Sequence, residues 1–277
     1  MNSKFERYPG LTLALKFIGH ILLFVFLTLL TQIGGVVYLL SLLLAKRLGL
    51  KARRKKVLAF SALYLLANLL IVPLIAPLFG REKMKEFKVV RAHSVFYKLA
   101  NRNYVRPELN KAITAIAEDF EKRNEGIQLV YLDANFPFID GFPLLPHLSH
   151  NDGKKVDVSL VYEKEGKISN KKPSFSGYGV FEGPTDREYD QIAVCKKAGK
   201  WQYDFPKYLT FGRINRKIEF SAKGTRDLAR RITRQKEVGK LFIEPHLKTR
   251  LGLKSQKVRY HGCQAVRHDD HIHFQLR

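Results

Sequence analysis

The sequence predicts an α+β domain that is built on an antiparallel sheet and preceded by two transmembrane helices. Two long stretches near the N-terminus, residues 17–45 and 57–79, are apolar and carry no Lys, Arg, Asp or Glu. Two later stretches, 156–162 and 271–276, alternate apolar and polar residues as strands do. The chain has 277 residues and is 45% hydrophobic, so it can form one compact domain beside the helices.

The two apolar stretches have the length of membrane spans. At about 1.5 Å per helical residue, residues 57–79 cover the roughly 30 Å hydrocarbon core of a bilayer. Residues 17–45 are long enough to span with tilt or with a bend near Gly34 and Gly35. A signal peptide is the alternative for the first stretch, but its apolar core has only about 7–15 residues. We therefore predict transmembrane helices over 17–45 and 57–80.

A basic loop lies between the two spans and predicts their orientation. Residues 46–56, KRLGLKARRKK, contain basic residues and no acidic one, and the positive-inside rule assigns such a loop to the cytoplasm. A short arm at 1–16 and everything after Gly80 are then extracytoplasmic. In a bacterium this predicts a two-pass protein of the inner (cytoplasmic) membrane whose domain is periplasmic or at the cell surface.

The chain is strongly basic, with 49 Lys and Arg against 25 Asp and Glu. On a cytosolic protein this excess would suggest nucleic-acid binding. Outside the membrane the available polyanions are lipid head groups and wall polymers, so we predict the lipid bilayer and wall material as partners and no nucleic acid. A well-solvated surface is the alternative explanation.

Only two cysteines occur, Cys195 and Cys263, and both follow the second span. An oxidising compartment would allow a disulfide between them, and closing a loop of that length would stabilise the fold by roughly 4 kcal/mol on the chain-entropy model. The sequence leaves open whether the bond forms. Zinc binding by these cysteines is disfavoured because neither belongs to a close Cys pair.

The domain is predicted to begin after a linker at residues 81–106. Leu109, Ile113, Ile116 and Phe120 recur at helical spacing and predict a helix over 107–123. A strand is predicted at 127–136, followed by a loop punctuated by Pro and Gly. The remaining predicted elements are strands at 177–182, 191–195 and 240–244, and a basic helix at 224–238.

Two predicted strands each present polar side chains on one face. In VDVSLVY, residues 156–162, Asp157 lies opposite the apolar face. In HIHFQL, residues 271–276, His271 and His273 share the face opposite the apolar side chains. The sequence therefore predicts two strands that offer candidate metal ligands.

Zn²⁺ binds His nitrogen and carboxylate oxygen at about 2.0–2.2 Å, and a catalytic site keeps three protein ligands. His150, Asp157 and His273 would supply that set. Taken alone, the tail HDDHIHF is as often an incidental metal binder or a solvated end, and HNDGKKVD at 150–157 is a weaker pattern still. The two patterns together indicate a metal site much more specifically than either pattern alone.

The pattern His, six residues, Asp and a distant His-x-His resembles a group of zinc peptidases that share a fold, among them lysostaphin-type enzymes, D-Ala-D-Ala metallopeptidases and the hedgehog domain. It is most similar to the penicillin-insensitive murein endopeptidases. His147 stands three residues before His150, and HDDHIH repeats a C-terminal order His-x-x-His-x-His. The resemblance covers roughly residues 107–277 and is sharp only at 147–157 and 268–273.

The resemblance implies zinc on His150, Asp157 and His273. It gives His271 a place beside the metal water, where a neutral imidazole can take and return a proton, and it places His268 close to the cleft, where it can stabilise an oxyanion.

The same resemblance makes His147 an additional ligand or a substrate contact. Asp269 and Asp270 are candidates to orient the histidine rings, with a solvated acidic turn as the alternative. The family carries a further Asp-x-x-His associated with more metal contacts; the sequence lacks this pair between Asp157 and His268, so a second metal is not expected.

The function that this resemblance implies is a membrane-anchored zinc peptidase of the murein endopeptidase type, which hydrolyses amide bonds in peptidoglycan stem peptides. Two alternatives remain open. One is a D,D- or L,D-carboxypeptidase of the same fold. The other is a non-catalytic zinc-containing module that binds the cell wall.

Overall fold

The computed structural model describes residues 9–277. Half of the predicted arm at 1–16 therefore lies outside the described residues. Three helices form the N-terminal part: α1 (Pro9–Thr31), α2 (Gly34–Arg47) and α3 (Arg53–Phe79). The last contains a π-helical turn and ends in a 3-10 turn.

The domain after α3 combines short helices with strands. Its helices are α4 (Val95–Leu99), α5 (Pro107–Glu121), α6 (Gln191–Lys197), a 3-10 helix (Trp201–Leu209), α7 (Ala222–Arg234) and α8 (Pro245–Arg250). Its strands are β1 (Glu82–Lys83), β2 (Val90–Ala92), β3 (Tyr104–Val105), β4 (Leu129–Tyr131), β5 (Lys155–Ser159), β6 (Tyr162–Lys164), β7 (Lys167–Ser169), β8 (Glu219–Phe220), β9 (Val238–Phe242), β10 (Val258–Arg259) and β11 (His271–Leu276). The predicted α+β class is confirmed.

Two of the described helices, Gly10–Thr31 and Arg53–Phe79, are long and apolar enough to cross a membrane. The prediction of one helix over 17–45 is wrong, because the chain turns at Gln32, whose φ is 67°, and α2 folds back along α1. Glycines allow this close packing. A Cβ atom at Gly35 would lie 2.0 Å from Thr28 Oγ1, so a larger residue would push the two helices apart.

Because α2 folds back along α1, the two ends of the first apolar stretch lie at the same end of the helix bundle. The sequence predicts them on opposite sides of the membrane. His20 Nδ1 lies 2.5 Å from the Tyr38 hydroxyl, so α1 and α2 run antiparallel. Lys16 of α1 and Arg53 of α3 line the same cavity between the helices. The described part of the arm, residues 9–16, thus lies at the same end of the bundle as the basic loop 46–56 and not at the opposite end.

The domain contacts the other end of the three helices directly. Asn68 of α3 donates to the carbonyl of Lys98 over 3.0 Å and to Oδ1 of Asn101 over 2.6 Å. Asn101 in turn donates to the carbonyl of Thr31 at the end of α1. The segment 81–106 is not a free linker as predicted, since it contains β1, β2, α4 and β3.

The main sheet has six strands in the order β10-β9-β11-β5-β4-β2. The four central strands are antiparallel, as predicted, but the edge strands β10 and β2 run parallel to their neighbours. The sheet is therefore mixed. A core that includes side chains of α5 and α7 packs with one face of the sheet, where Val156, Val158, Ile272 and Phe274 are buried.

The other element predictions have mixed outcomes. The helix at 107–123 is confirmed as α5, the basic helix at 224–238 as α7 and the strand at 240–244 as β9, while the strand at 127–136 shortens to β4. The predicted strand at 191–195 is wrong: Asp190 accepts the backbone N–H of Ala193 and caps α6 there. The predicted strand at 177–182 is also wrong, because Gly177 and Gly179 have positive φ and the segment is irregular.

Cys195 of α6 and Cys263 form a disulfide across a separation of 68 residues. We expect the double variant C195S/C263S to lose roughly 4 kcal/mol of unfolding free energy, because the unfolded chain regains the entropy of an open loop. Denaturant titration of the full chain in detergent measures this, with the wild type under reducing conditions as the second comparison. A loss below about 1 kcal/mol would contradict the chain-entropy argument.

Lys172 is a buried cation whose titration should appear in the stability of the protein. Its Nζ donates to the carbonyl of Leu160 and lies 5.5 Å from the centre of the Tyr162 ring. Burial, with a smaller contribution from Arg91, lowers the pKa of Lys172 from 10.5 to about 7. Between these two pH values the unfolded chain binds a proton that the folded protein does not, so stability rises with pH.

We therefore expect the unfolding free energy of the Lys172→Met variant to exceed that of the wild type by the largest margin at pH 6. The advantage should shrink as pH rises from 7 to 10.5, by roughly 5 kcal/mol at most. Urea unfolding at several pH values measures the difference, with Lys171→Met at the neighbouring exposed position as control. A difference between variant and wild type that does not change with pH would refute the expectation.

Candidate metal centre

Two neighbouring strands deliver two of the predicted ligands to one point. β11 pairs antiparallel with β5, and His273 is the direct partner of Asp157 in that register. Side chains of directly opposed residues lie on the same face of a sheet. Ile272 and Phe274, which flank His273 in β11, belong to the core. Both ligands therefore lie on the face of the sheet that points away from the core. The sequence pattern predicted that both side chains face away from the apolar side of their strands, while the direct pairing of the two strands is seen only in the structure.

The third predicted ligand, His150, comes from the loop between β4 and β5. The loop is fixed by Asn135, whose amide oxygen accepts from Gly153 N and whose amide nitrogen donates to Lys155 O over 2.8 Å. Gly153 has a φ of 79°, which suits glycine. A turn in which His150 N donates to His147 O over 2.9 Å brings both histidines to the sheet.

His150, Asp157 and His273 form a compact buried cluster that could hold a metal ion. His150 Nε2 lies 2.9 Å from His273 Nδ1 and 3.2 Å from Asp157 Oδ1, and the last two atoms are 2.9 Å apart. Ligands held at 2.0–2.1 Å around a tetrahedral ion would be about 3.3 Å apart. The three atoms are therefore close to the separations that a tetrahedral site requires.

The hydrogen bonds around His150 favour metal binding. Its Nδ1 lies 2.7 Å from the carbonyl oxygen of Ala134, which can only accept, so Nδ1 carries the proton. Nε2 of a neutral ring then directs its lone pair at Asp157 and His273. A backbone carbonyl that fixes the tautomer of a histidine is the usual support of a metal ligand.

A second group of possible ligands uses the other oxygen of the same carboxylate. His147 Nδ1 is 3.3 Å and His271 Nε2 is 3.7 Å from Asp157 Oδ2, and the three residues form a second set that could hold an ion. Tyr178 donates its hydroxyl to Asp157 Oδ2 over 2.8 Å. His147 Nδ1 is also 3.0 Å from Asp133. The spacings in this set are longer and one oxygen is already hydrogen-bonded, so the first group is the better site.

His271 is held by an acidic neighbour, as the sequence suggested. Its Nδ1 contacts Asp270 Oδ1 at 2.5 Å, and the other oxygen of Asp270 accepts the N–H of Gly179. Burial acts to lower the pKa of His271, but the carboxylates of Asp157 and Asp270 outweigh it and raise the pKa to about 9. Asp269 has a different role, because it pairs with Arg267 rather than with a histidine of the cluster.

His268 lies close to the cluster without joining either group of ligands. Its ring centre is 4.8 Å from that of His271 and 5.8 Å from that of His273. Burial, together with these neighbouring imidazoles, holds the pKa of His268 well below its ordinary value. A neutral ring at this position is suited to donate or accept a hydrogen bond.

The electrostatics of the cluster keep the expected ligands in their metal-binding forms. Burial alone would raise the pKa of Asp157, but its interactions with His150, His271 and His147 outweigh this effect, and the pKa lies well below the ordinary value. Burial lowers the pKa of His273 to about 3, although Asp157 opposes this effect. An ionised carboxylate and a neutral imidazole are the forms that bind a metal.

Sequence reasoning missed three residues of the site. Tyr178 comes from the irregular segment that was predicted as a strand, and Asp133, which pairs with Arg102 over 2.6 Å, follows β4. His261, whose ring stacks on His268 at 5.5 Å, comes from the loop before β11. Only Asp133 carried a sequence signal, since a carboxylate at the end of a buried strand often faces a site. The other two, Tyr178 and His261, belong to loops whose positions depend on tertiary packing.

The donor set, two imidazole nitrogens and one carboxylate oxygen, fits zinc and other transition metals that accept imidazole. Comparison with models of protein families and with curated proteins found no match for this chain.

Proposed function

We propose that the protein is a membrane-anchored zinc peptidase that hydrolyses amide bonds in peptidoglycan peptides. The observation that carries the proposal is the buried convergence of His150, Asp157 and His273, with the His150 tautomer fixed by a backbone carbonyl. Three neutral or anionic ligands of this kind are the usual complement of a catalytic zinc site. A bound zinc ion would supply a Lewis acid and a water of lowered pKa, which amide hydrolysis at neutral pH requires.

The other residues of the cluster would each have a separate role in the hydrolysis. A cation bound to Asp157 would offset one of the two carboxylate charges that raise the pKa of His271, and the ring, oriented by Asp270, would then take and return the proton during hydrolysis. His268 would donate to the oxygen that becomes negative as the carbonyl is attacked. His147 faces the second oxygen of Asp157 and would contact substrate. Tyr178 would keep that carboxylate in place through its hydroxyl.

The proposed location rests on separate features. Two helices have the length and apolar character of spans, and the basic loop between α2 and α3 favours the cytoplasmic side. The disulfide between Cys195 and Cys263 is of a kind that persists in oxidising compartments such as the periplasm. An extracytoplasmic domain would have peptidoglycan within reach.

Reporter fusions test this topology. A reporter joined after Gly80 should be active only outside the cytoplasm, and one inserted at 48–52 only inside it. A reporter joined ahead of α1 should also be active inside, because α1 begins at the same end of the bundle as the basic loop. An external signal from this last fusion would favour a single span over 17–45 instead of the helical hairpin.

The hydrolysis of purified cross-linked muropeptide dimers tests the proposed activity. Monomers as products would indicate an endopeptidase, and loss of one terminal alanine would indicate a carboxypeptidase. The full chain in detergent is assayed with and without a chelator, and products are identified by mass. Metal binding without either product across pH 5 to 9 would favour the wall-binding module instead.

A further inference from the structure

A large cavity lies beside the candidate metal centre and extends to the end of a membrane helix. Its volume is about 640 Å³. Asp133, His147 and Tyr178 line one part of it, and Leu30 of α1 lines another. The histidine cluster and the membrane helix therefore border the same space.

The wall of this cavity is mostly apolar. Besides Leu30, it is lined by Phe96, Leu145, Phe175, Phe205 and Phe211. The polar groups are few, and most are already paired: Asp133 bonds to Arg102, and the Tyr178 hydroxyl to Asp157. A cavity of this size with a few polar groups at one part is suited to a ligand with a long apolar portion.

Contacts with the helices place this cavity at the level where the chain leaves the proposed membrane. Leu30 is the penultimate residue of α1. The Tyr64 hydroxyl of α3 donates to the carbonyl of Leu99 in α4 over 2.5 Å. Phe96, on the same short helix α4, lines the cavity. The cavity wall therefore lies next to the end of a helix that is proposed to span the membrane.

The apolar side chains around the cavity are exposed to a degree that is unfavourable in water. Phe211 is 73% exposed and Phe175 is 59% exposed, and Trp201 and Tyr208 on the adjacent 3-10 helix are 75% and 70% exposed. Aromatic side chains are enriched where a protein meets the head-group region of a bilayer. The rings of Trp201 and Tyr208 both contact Phe205 of the cavity wall, so exposed apolar surface extends outward from the cavity, as at a membrane or ligand contact.

We propose that this cavity takes the hydrocarbon chain of a substrate that is anchored in the bilayer. The inference rests on the proposed function, since the amide of such a substrate would then lie at the histidine cluster. A free stem peptide fits the wall less well, because its carboxylates would lose hydration against phenyl and alkyl groups. His147 Nε2, which is buried and has no hydrogen-bond partner within residues 9–277, is available to the polar part of the substrate.

The first experiment measures occupancy and does not depend on activity. The full chain is reconstituted in phosphatidylethanolamine and phosphatidylglycerol vesicles that contain a peptide with a photoreactive isoprenoid tail. Cross-links to Phe96, Leu145 and Phe211 are expected. The Ser94→Trp variant places bulk in the wall at a residue that makes no capping hydrogen bond. It should reduce these cross-links about tenfold, as expected for the loss of roughly two buried methylene contacts.

Gln256→Trp, at an exposed position, is the matched control and should leave the cross-links unchanged. Cross-links to the lipid-facing residues Phe17 and Leu22 of α1 should be equal in all three proteins. Labelling of α1 without labelling of the cavity would overturn the inference. So would cavity labelling that Ser94→Trp leaves intact.

The second experiment compares hydrolysis of one peptide with and without the isoprenoid tail. The tailed peptide should be cut with the higher kcat/KM, and Ser94→Trp should remove the advantage by raising KM for that substrate alone. Equal rates for the two peptides, together with cavity labelling, would mean that the cavity holds a bilayer lipid and would overturn the inference. Failure to cut either peptide would refute the proposed function, while the occupancy result still reports on the cavity.

Discussion

The His273→Ala variant is expected to lose its bound metal and its hydrolytic activity together. His273 Nδ1 lies 2.9 Å from both His150 Nε2 and Asp157 Oδ1, so its removal leaves two ligands where a catalytic zinc ion takes three. The wild-type chain should carry about one zinc per molecule, and the variant close to none. Metal analysis by mass spectrometry after dialysis, on the full chain in detergent, measures the zinc content of both proteins. Hydrolysis of cross-linked muropeptides by the same samples measures the activity.

His93→Ala is the matched control for this result. His93 is a half-buried histidine that bonds to the carbonyls of Ser174 and Phe175 and belongs to neither group of possible ligands. This variant should keep its metal. Retention of the full metal content by His273→Ala would show that the ion is not at the proposed site.

His150→Ala and His147→Ala distinguish the two groups of ligands. Loss of metal from the first variant but not the second would place the ion on Oδ1 of Asp157, as we expect. The opposite result would place it on Oδ2, between His147 and His271. In that case the role of His271 in proton transfer would be wrong.

The His271→Ala variant is expected to keep its metal and to lose turnover. His271 is oriented by Asp270 and lies 3.7 Å from the oxygen of Asp157 that faces away from His150. Removal of a general acid or base lowers rates by roughly 10²- to 10⁴-fold. Initial rates on cross-linked muropeptides, with metal content determined on the same sample, measure the two effects separately.

The Asp270→Asn variant tests whether the carboxylate acts through His271. It keeps a similar shape and can still bond to the ring, but it removes one of the two carboxylate charges, those of Asp157 and Asp270, that raise the pKa of His271. We expect a smaller loss of kcat than in His271→Ala, an altered pH profile and unchanged metal. A His271→Ala variant that turns over at the wild-type rate would exclude this histidine as the proton carrier.

The alternating strands are the part of the site that the sequence could predict. Because successive side chains of a strand point to opposite faces, VDVSLVY and HIHFQL place Asp157 and His273 away from the core wherever the strands pair. His150 was expected as the third ligand because its spacing to Asp157 resembles the pattern of the zinc peptidases. These are properties of short segments, and no distant contact is required to read them.

Other features followed from composition and length. Long uncharged stretches predicted apolar helices, and two helices with the length of a span occur in the described chain. The helix at 107–123 and the basic helix at 224–238 were recognisable because each repeats an apolar position every three or four residues. The strand prediction at 191–195 was wrong because a short apolar stretch is compatible with a strand or a helix. The capping hydrogen bond to Asp190 stabilises the helix.

The sequence by itself predicted Asp157 and His273 as candidate ligands, the two apolar helices and the orientation of the basic loop, because these predictions depend on periodicity, hydropathy and charge. Only the tertiary structure decided that Tyr178 and His261 join the site, that α2 folds back on α1 after a turn at Gln32, and that the apolar cavity borders both His147 and the end of α1. These features arise from contacts between residues far apart in the chain. The backbone of a loop takes its path from such packing, so no local pattern records it.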